Sequence, residues 1–276
     1  MTEQPFAQQP PLWRRFPSTL TGRLLRTARG RNLLARAFNR AYYESAGAWK
    51  ESRWLRFTSL QTPQDLWICQ EILVETRPDV IVETGTFEGG TALYLATICD
   101  ALRHGQVLSV DVRHLEPMPR HPRIEYLTGS SIDPRIVDEV RSRLGAGRRL
   151  MAMLDSDHSR DHVLAELHAY GPLIAEGCYL IVADTNINGH PAAPHWGPGP
   201  MEAVEEFLAA GAPFAADRSR EKFLLTFNPQ GSCGGSESPR RAPSSAPFRS
   251  GCAAASRGTR PPGAPCSWRG STSRAS

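Results

Sequence analysis

The hydrophobic residues between positions 64 and 208 follow two spacings that alternate along the chain. Five short runs are apolar at consecutive positions, which is typical of strands buried on both faces of a sheet. Between these runs, apolar residues recur every three or four positions, which predicts amphipathic helices. The predicted strands are DVIVET, QVLSVDV, RIEYLTGSS, RLMAMLDSD and CYLIVADTN. The predicted helices are QDLWICQEILVETR, TALYLATICDALRHG, DPRIVDEVRSRL, HVLAELHAYGPLIAEG and MEAVEEFLAAG.

Strands that alternate with helices predict an α/β fold with a doubly wound, mostly parallel, Rossmann-like sheet. After the last helix, FAADRS and KFLLTFN are joined by RSRE, and we expect them to add an antiparallel hairpin at one edge. Such a sheet binds its ligands beyond the carboxyl ends of its strands, near the point where the strand order reverses. The polar residues that follow each predicted strand are therefore the candidates for function.

Composition divides the 276 residues into three parts. Residues 1–57 form a basic extension that is predicted to be partly helical, and residues 58–229 form the α/β domain. In residues 230–276, Arg, Gly, Pro, Ala and Ser make up 38 of 47 positions, so little apolar surface can be buried. We predict a disordered low-complexity tail, and its abrupt start raises the hypothesis that it is translated in a shifted frame.

The charge and the cysteines exclude several classes of protein. The net charge of the whole chain is +4, but the tail alone carries +6, so the remainder of the chain carries −2. The positive net charge therefore gives no indication of a nucleic-acid partner. None of the six cysteines has the spacing of a zinc site, and no disulfide framework is indicated. No run reaches the ~18 apolar residues of a membrane-spanning helix, and the first residues show no signal pattern. We therefore expect a cytoplasmic protein.

The N-terminal segment LTGRLLRTARGRNLLARAFNRAYY allows two interpretations. Its apolar residues stand among arginines, so it could contact an anionic membrane beside a lipid-linked glycan. Alternatively, it packs as a helix on the domain or on a second subunit, with the arginines in solvent. We favour packing, because Gly22 and Gly30 weaken a continuous helix. The apolar residues are Leu20, Leu24, Leu34 and Phe38.

The first strand ends in ETGTFEGG, which carries an acid and three glycines before a helix. Glycines let the backbone pass close to a ligand, and the free N–H groups of a helix start can face it. The candidates for cofactor binding are Glu83, Gly85, Thr86, Gly89 and Gly90. Their spacing is not the GxGxxG of dinucleotide sites, and a tight turn without a ligand is the alternative.

The second and third strands end in further polar residues. Asp111 follows Gly85 by 26 positions, where an acid can accept hydrogen bonds from ribose hydroxyls; a helix cap or a solvated acid is the alternative. Ser130 follows the third strand and is a further candidate for cofactor binding. The combination of the first two ends favours a ligand of the adenosine type.

The fourth strand ends in LDSDHSRDH, and the fifth ends at Asp184. Asp155 and Asp184 should meet at one edge of the sheet, where carboxylates suit a hard divalent cation. His158 can serve as a general base, since histidine is the side chain most often used for proton transfer near neutral pH. The other polar residues there are expected to cap the next helix or to lie at the surface: Asp157, Asp161 and His162.

These motifs together resemble a known family. The segments that show the resemblance are DLWICQEIL, RPDVIVETGTFEGGTALYLA, LDSDHSRDHVLAELHAYGPLI, YLIVADTNINGH and GPGPMEAVEEFL. From about residue 62 to residue 229 the chain resembles the cephalosporin hydroxylase family, which includes rhamnosyl O-methyltransferases. Its members look like class I methyltransferases that use S-adenosylmethionine, and this resemblance implies methyl transfer in spite of the family's label.

The resemblance also implies roles for individual residues. The loop from Glu83 to Gly90 would hold the methionine part of S-adenosylmethionine, and Asp111 would hold the ribose. Asp155 and Asp184 match the acids that bind magnesium in catechol-type and macrolide-sugar O-methyltransferases. His158 falls where those enzymes place their base.

One position departs from the family's pattern. Relatives often have Glu before the second acid, whereas this chain has Ala183, so the third metal ligand differs. Thr185 or Asn186 could supply an oxygen instead, and a weak or empty site is the alternative.

We therefore expect an S-adenosylmethionine-dependent O-methyltransferase, assisted by Mg²⁺, that acts on a hydroxyl of a sugar, glycolipid or natural product. The alternatives are a nicotinamide-dependent sugar oxidoreductase and a non-catalytic cofactor-binding relative. The loop HPAAPHWGPGP offers Trp196 as a platform for a sugar ring, with a Pro-rich turn as the alternative. We also expect a homo-oligomer.

Overall fold

The computed structural model describes residues 20–45 and 47–235. Two helices come first, α1 over Leu20–Arg26 and α2 over Ala28–Glu44, and Thr27 caps the second of them. A short antiparallel pair follows, with β1 over Arg53–Trp54 and β2 over Phe57–Thr58.

A sheet of seven strands forms the centre of the domain, and the expected α/β fold is confirmed. Its strands are β3 Val80–Thr84, β4 Gln106–Asp111, β5 Ile124–Thr128, β6 Leu150–Leu154, β7 Tyr179–Val182, β8 Phe214–Ala216 and β9 Ser232–Gly235. The strand order is β5-β4-β3-β6-β7-β9-β8, and the first five strands are parallel. Since β3 pairs with both β4 and β6, the order reverses beside the carboxyl end of β3.

Five helices cover the sheet on its two faces. They are α3 Pro63–Thr76, α4 Gly90–Leu102, α5 Pro134–Leu144, α6 Arg160–Tyr170 and α7 Pro200–Ala209. Val80 and Val82 belong to the core that includes residues of α5, α6 and α7, whereas Ile81 between them belongs to the core with α3 and α4. Successive residues of a strand point to opposite faces, so a strand between two helical layers is apolar throughout.

The antiparallel hairpin is present, but one of its predicted strands is wrong. FAADRS contains β8 as expected, whereas KFLLTFN forms no strand, and the partner of β8 is β9. The reason lies in Asp65, whose carboxylate accepts hydrogen bonds from the Phe227 N–H at 2.8 Å and from the Thr226 hydroxyl at 2.5 Å. These bonds hold the segment against α3, and Leu224 adopts a left-handed φ of 67° that interrupts an extended chain.

The predicted boundary between domain and tail is also wrong by six residues. Strand β9 lies in the predicted tail, yet it pairs with both β7 and β8, and Cys233 is only 1% exposed. Small residues such as Ser and Gly have low strand propensity, which hid this strand from a compositional argument. The rest of the tail, from residue 236, and residues 1–19 lie outside the described residues.

The N-terminal segment packs on the domain, as favoured above. Asn39 of α2 is buried, and its side-chain N–H₂ donates to the Thr226 carbonyl at 2.5 Å. The break between the helices falls at Thr27, while Gly30 lies inside α2 and is buried. No helix of the described part of the chain is both long and apolar enough to cross a membrane.

The position of β9 predicts that it contributes to stability. The free energy of unfolding should be about 3 kcal/mol lower for a chain that ends at Gly231 than for one that ends at Gly235. The shorter chain loses the hydrogen bonds of β9 with β7 and β8, and each such bond contributes about 1 kcal/mol. Chemical denaturation of both truncated proteins measures the difference. Equal stabilities would show that β9 does not hold the sheet edge together.

Candidate active site

The glycine loop after β3 lies directly against the end of β6. Gly85 has a φ of +85°, and a Cβ at this position would lie 2.0 Å from the carbonyl oxygen of Asp155. A Cβ on Gly90 would likewise lie 2.1 Å from the carbonyl oxygen of Thr58. Only glycine permits this approach, so the predicted cofactor loop and the predicted metal acid are built against each other.

Asp111 holds the glycine loop through its backbone. One carboxylate oxygen, Oδ2, accepts from the N–H of Thr86 at 2.8 Å and from that of Phe87 at 3.1 Å. The other oxygen accepts from the Arg113 N–H at 3.2 Å. Since each carboxylate oxygen can accept about two bonds, Oδ1 keeps capacity for a further donor.

Glu83 lies beneath this loop and is 1% exposed. It accepts a hydrogen bond from the Ser109 hydroxyl at 2.5 Å, and that hydroxyl also contacts the Thr86 hydroxyl at 2.7 Å. Burial raises the pKa of Glu83 to about 8, although the bond from Ser109 opposes the rise. Glu83 and Ser109 thus link β3 to β4 beneath the loop, and the Thr86 hydroxyl joins the loop to this pair.

The remaining candidates for cofactor binding take their places around the loop. Gly89 has a φ of +73° and stands directly before α4, where the free N–H groups of the helix start are available. Ser130 is half-buried and follows β5. Next to it, Ser131 is buried, and its hydroxyl contacts His162 Nε2 at 3.0 Å, which places His162 in a structural network.

The two predicted metal acids and the predicted base form one cluster. Asp155, His158 and Asp184 each offer a ligand atom, and these atoms all lie within 4.8 Å of one another. His158 Nε2 is 3.5 Å from Asp184 Oδ2. The geometry therefore suits His158 both as a base beside a metal ion and as a ligand to it.

The two acids of this cluster lie where burial disfavours their ionised forms. Desolvation, Asp184 and Glu83 raise the pKa of Asp155 well above its usual range, and desolvation raises the pKa of Asp184, which His158 opposes. Within the described residues, no Lys or Arg forms an ion pair with either acid. Carboxylate oxygens in such an arrangement fit a hard divalent ion such as Mg²⁺.

Two residues that sequence reasoning missed hold the acids in place. Gln61 Nε2 donates to Asp155 Oδ2 at 2.9 Å, and the Asp184 N–H donates to the side-chain oxygen of Asn228 at 3.0 Å. Asp184 has a left-handed φ of 53°, a strained conformation that this bond stabilises. Both partners are far from the acids in the sequence, so no local pattern indicates them.

Helix α2 lies beside the two acids, a position that sequence reasoning did not predict. Its Asn39 accepts a hydrogen bond from the side chain of Asn186 at 3.1 Å, two residues beyond Asp184. Burial raises the pKa of Tyr43, and the nearby charges of Asp184 and Asp155 raise it further, so the Tyr43 hydroxyl lies in the field of the acids.

With this geometry established, comparison with known proteins identifies the family. The model of the rhamnosyl O-methyltransferase/CmcI family matches residues 46–233. The rhamnosyl O-methyltransferase of Mycobacterium leprae (strain TN) is 37% identical over 206 residues, which are 72% of this chain and 89% of that protein. That of Mycobacterium tuberculosis (strain H37Rv) is 38% identical over 179 residues, or 63% of this chain and 73% of that protein. The chain belongs to the rhamnosyl O-methyltransferase/CmcI family.

A solved structure agrees with this membership. The CmcI structure with Mg and SAM aligns over 85% of this chain and 88% of that chain, with a TM-score of 0.54 and 16% identity. At this identity the likeness shows the shared class I methyltransferase fold. A member of the rhamnosyl O-methyltransferase/CmcI family is an O-methyltransferase, so the predicted family, fold and enzyme class are confirmed. The matched range also extends into β9, in agreement with the corrected domain boundary.

The contact between the loop and β6 generates a prediction. Gly85→Ala should lower the free energy of unfolding by about 3 kcal/mol or more, because it adds a backbone clash to the ~1–2 kcal/mol of a left-handed φ. Gly147→Ala is the matched control, since Gly147 has a φ of +72° and nothing within 4 Å of its added Cβ. Thermal and chemical denaturation measure both. Equal losses in the two variants would show that the close approach to Asp155 does not constrain the loop.

Proposed function

We propose that this protein transfers a methyl group from S-adenosylmethionine to a hydroxyl group of a sugar, with assistance from Mg²⁺. The observation that carries the proposal is the cluster of Asp155, His158 and Asp184 beside the glycine loop at the reversal of strand order. The matched relatives bear the name rhamnosyl O-methyltransferase, which supports a deoxysugar in a glycan or glycolipid as the acceptor.

In this proposal the loop of residues 83–90 holds the methionine part of the cofactor. The backbone N–H groups at the start of α4 are available to its carboxylate. Asp111 receives the ribose through the remaining capacity of Oδ1, while Oδ2 keeps the loop in place. Ser130 lies on the same side of the sheet, after β5, and contributes a further polar contact.

Asp155 and Asp184 hold the divalent ion, which when bound stabilises negative charge on the acceptor oxygen. His158 accepts the acceptor's proton at Nε2. The enzyme's main task is to align the hydroxyl with the methyl group, because the sulfonium carbon is already activated. A vicinal diol suits the site, since it offers two neighbouring oxygens.

The acceptor side of the site is formed by the loop of residues 190–200 and by α2. Trp196 is 52% exposed, and its ring centroid lies 6.4 Å from that of His158. An exposed aromatic ring beside the base provides an apolar platform on which one face of a sugar can lie. This position supports the expectation from the sequence that Trp196 contacts the acceptor.

The nicotinamide-dependent oxidoreductase and the non-catalytic relative are the alternatives that the sequence alone leaves open, and the enzyme class of the family argues against both. Family membership favours methyl transfer over the first. Against the second, Asp155, His158 and Asp184 bring three potential ligand atoms within 4.8 Å of one another, an arrangement that fits a divalent cation.

We further propose a peripheral contact of α2 with anionic membranes. Arg29, Leu33, Arg36 and Arg40 share one face at helical spacing; all four are exposed, and Leu33 is 60% exposed. This combination supports adsorption beside a lipid-linked acceptor. The expected homo-oligomer and the cytoplasmic location stay predictions that no observation on the single chain tests.

Three variants separate the metal ligands from the base. With S-adenosylmethionine and a rhamnoside, His158→Ala should reduce the rate of methylation by ~10² to 10⁴, the usual contribution of a general base, while Mn²⁺ and S-adenosylhomocysteine still bind. Asp155→Ala should lose affinity for Mn²⁺ itself. Asp161→Ala is the control, since its side chain is 88% exposed in the same segment. Mass spectrometry of the product and calorimetry with Mn²⁺ give the two readouts.

The same experiment can contradict the assignment in two ways. Full activity of the wild type in the presence of a chelator would remove the metal from the mechanism. Loss of Mn²⁺ binding in His158→Ala would make His158 a ligand instead of the base.

The membrane contact is tested by flotation with vesicles that contain phosphatidylserine. The triple variant Arg29→Glu, Leu33→Ser and Arg36→Glu should float at least ~10-fold less than the wild type, because each basic residue near the surface contributes about 1 kcal/mol. Arg135→Glu is the control, with a side chain that is 88% exposed on α5. Equal flotation of the triple variant and the wild type would contradict the contact.

A further inference from the structure

Gln61 is a buried residue whose side chain is only half satisfied. It is 2% exposed and stands directly before Thr62, the N-cap of α3. Its Nε2 donates to Asp155 Oδ2 at 2.9 Å. Its Oε1 is buried and has no hydrogen-bond partner among the described residues.

An unpaired amide oxygen in this position needs an explanation. Buried polar atoms without a partner are rare in native structures, and each one that persists calls for a bound ion, a water molecule or a functional role. When Asp155 is ionised, as it must be to bind a cation, the amide cannot be turned over, because Oε1 would then face an acceptor oxygen of the carboxylate. The contact with Asp155 therefore fixes the oxygen as the free end.

The contact between Gln61 and Asp155 brings the free oxygen close to one of the two metal acids. The nitrogen and oxygen of an amide are ~2.2 Å apart, so Oε1 lies at most ~5 Å from Asp155 Oδ2. Two oxygens on one Mg²⁺ ion are up to ~4 Å apart, because each lies ~2.1 Å from the ion. The upper limit exceeds that separation by only ~1 Å, so a small movement of the Gln61 amide would bring Oε1 to an ion that Asp155 holds.

The other nearby oxygens are less well placed. Ala183 has no oxygen in its side chain, and the Thr185 hydroxyl donates to the Pro229 carbonyl at 2.6 Å. Asn186 also has a buried oxygen without a partner, but its side chain contacts Asn39 and neither metal acid. Of these groups, only Gln61 contacts one of the two acids directly.

We propose that Gln61 is the third protein ligand of the divalent ion, through Oε1. This role rests on the metal-assisted function proposed above. Two carboxylates and a neutral amide balance the charge of a divalent ion, whereas a third carboxylate would leave an excess negative charge. The amide nitrogen of Gln61 still donates to Asp155 and orients its carboxylate.

The test measures Mn²⁺ binding by electron paramagnetic resonance in the full chain with S-adenosylhomocysteine bound. Gln61→Ala should weaken Mn²⁺ binding by ~10- to 100-fold, the range seen when groups around a metal site are removed. Gln64→Ala is the matched control, since Gln64 is a neighbouring glutamine whose Oε1 is also buried without a partner. Melting temperatures and S-adenosylhomocysteine affinities should be similar in all variants.

A second readout separates coordination from an effect through Asp155. In water enriched with ¹⁷O, the line broadening of bound Mn²⁺ counts its water ligands, and Gln61→Ala should show one more than the wild type. An unchanged count, or unchanged Mn²⁺ affinity in Gln61→Ala, overturns the ligand role while the metal site stands. A weaker site in Asn186→Ala but not in Gln61→Ala would assign the role to Asn186. If the wild type itself binds no Mn²⁺, the metal in the proposed function is wrong, and this inference falls with it.

Discussion

The repulsion between two carboxylates is the constraint on which the rest of the site depends. Asp155 and Asp184 follow the neighbouring parallel strands β6 and β7, whose register pairs Leu154 with Val182, so the backbone brings both acids to one edge. Desolvation raises the pKa of both acids, the charge of Asp184 raises that of Asp155 further, and no described Lys or Arg pairs with either acid. Such an arrangement is stable only if its surroundings hold it, and in the proposed function a cation neutralises it.

The surroundings hold the acids through a chain of hydrogen bonds that begins in the core. Buried Asp65 accepts bonds from Thr226 and from the Phe227 N–H, and burial raises its pKa to about 6. These bonds fix the segment that carries Asn228, which in turn accepts from the Asp184 N–H. The segment KFLLTFN is irregular, and this conformation lets it bind Asp65 and position Asn228. An extended strand at this place could not make the same contacts.

Local periodicity predicted most of the sheet and the helices, since each strand and helix there is specified by its own residues. The same reasoning found the acids at the strand ends, because parallel strands put their carboxyl ends at one edge. It failed at β9, whose Ser-Cys-Gly-Gly sequence carries no strand signal and pairs only because β7 and β8 offer free edges. It could not find Gln61 or Asn39 either, since each contacts the site across roughly a hundred residues or more.

Helix α2 shows why family membership does not settle the acceptor. The family match begins at residue 46, whereas α2 ends at Glu44, so this wall of the site lies outside the matched range. Yet Asn39 contacts both Asn186 and Thr226, and the Tyr43 hydroxyl lies in the field of the metal acids. In the proposed function, methyl transfer uses the glycine loop, the two acids and His158. A change in α2 would alter the shape and polarity of the acceptor side while leaving those groups intact, so selection of the sugar can vary independently of the reaction.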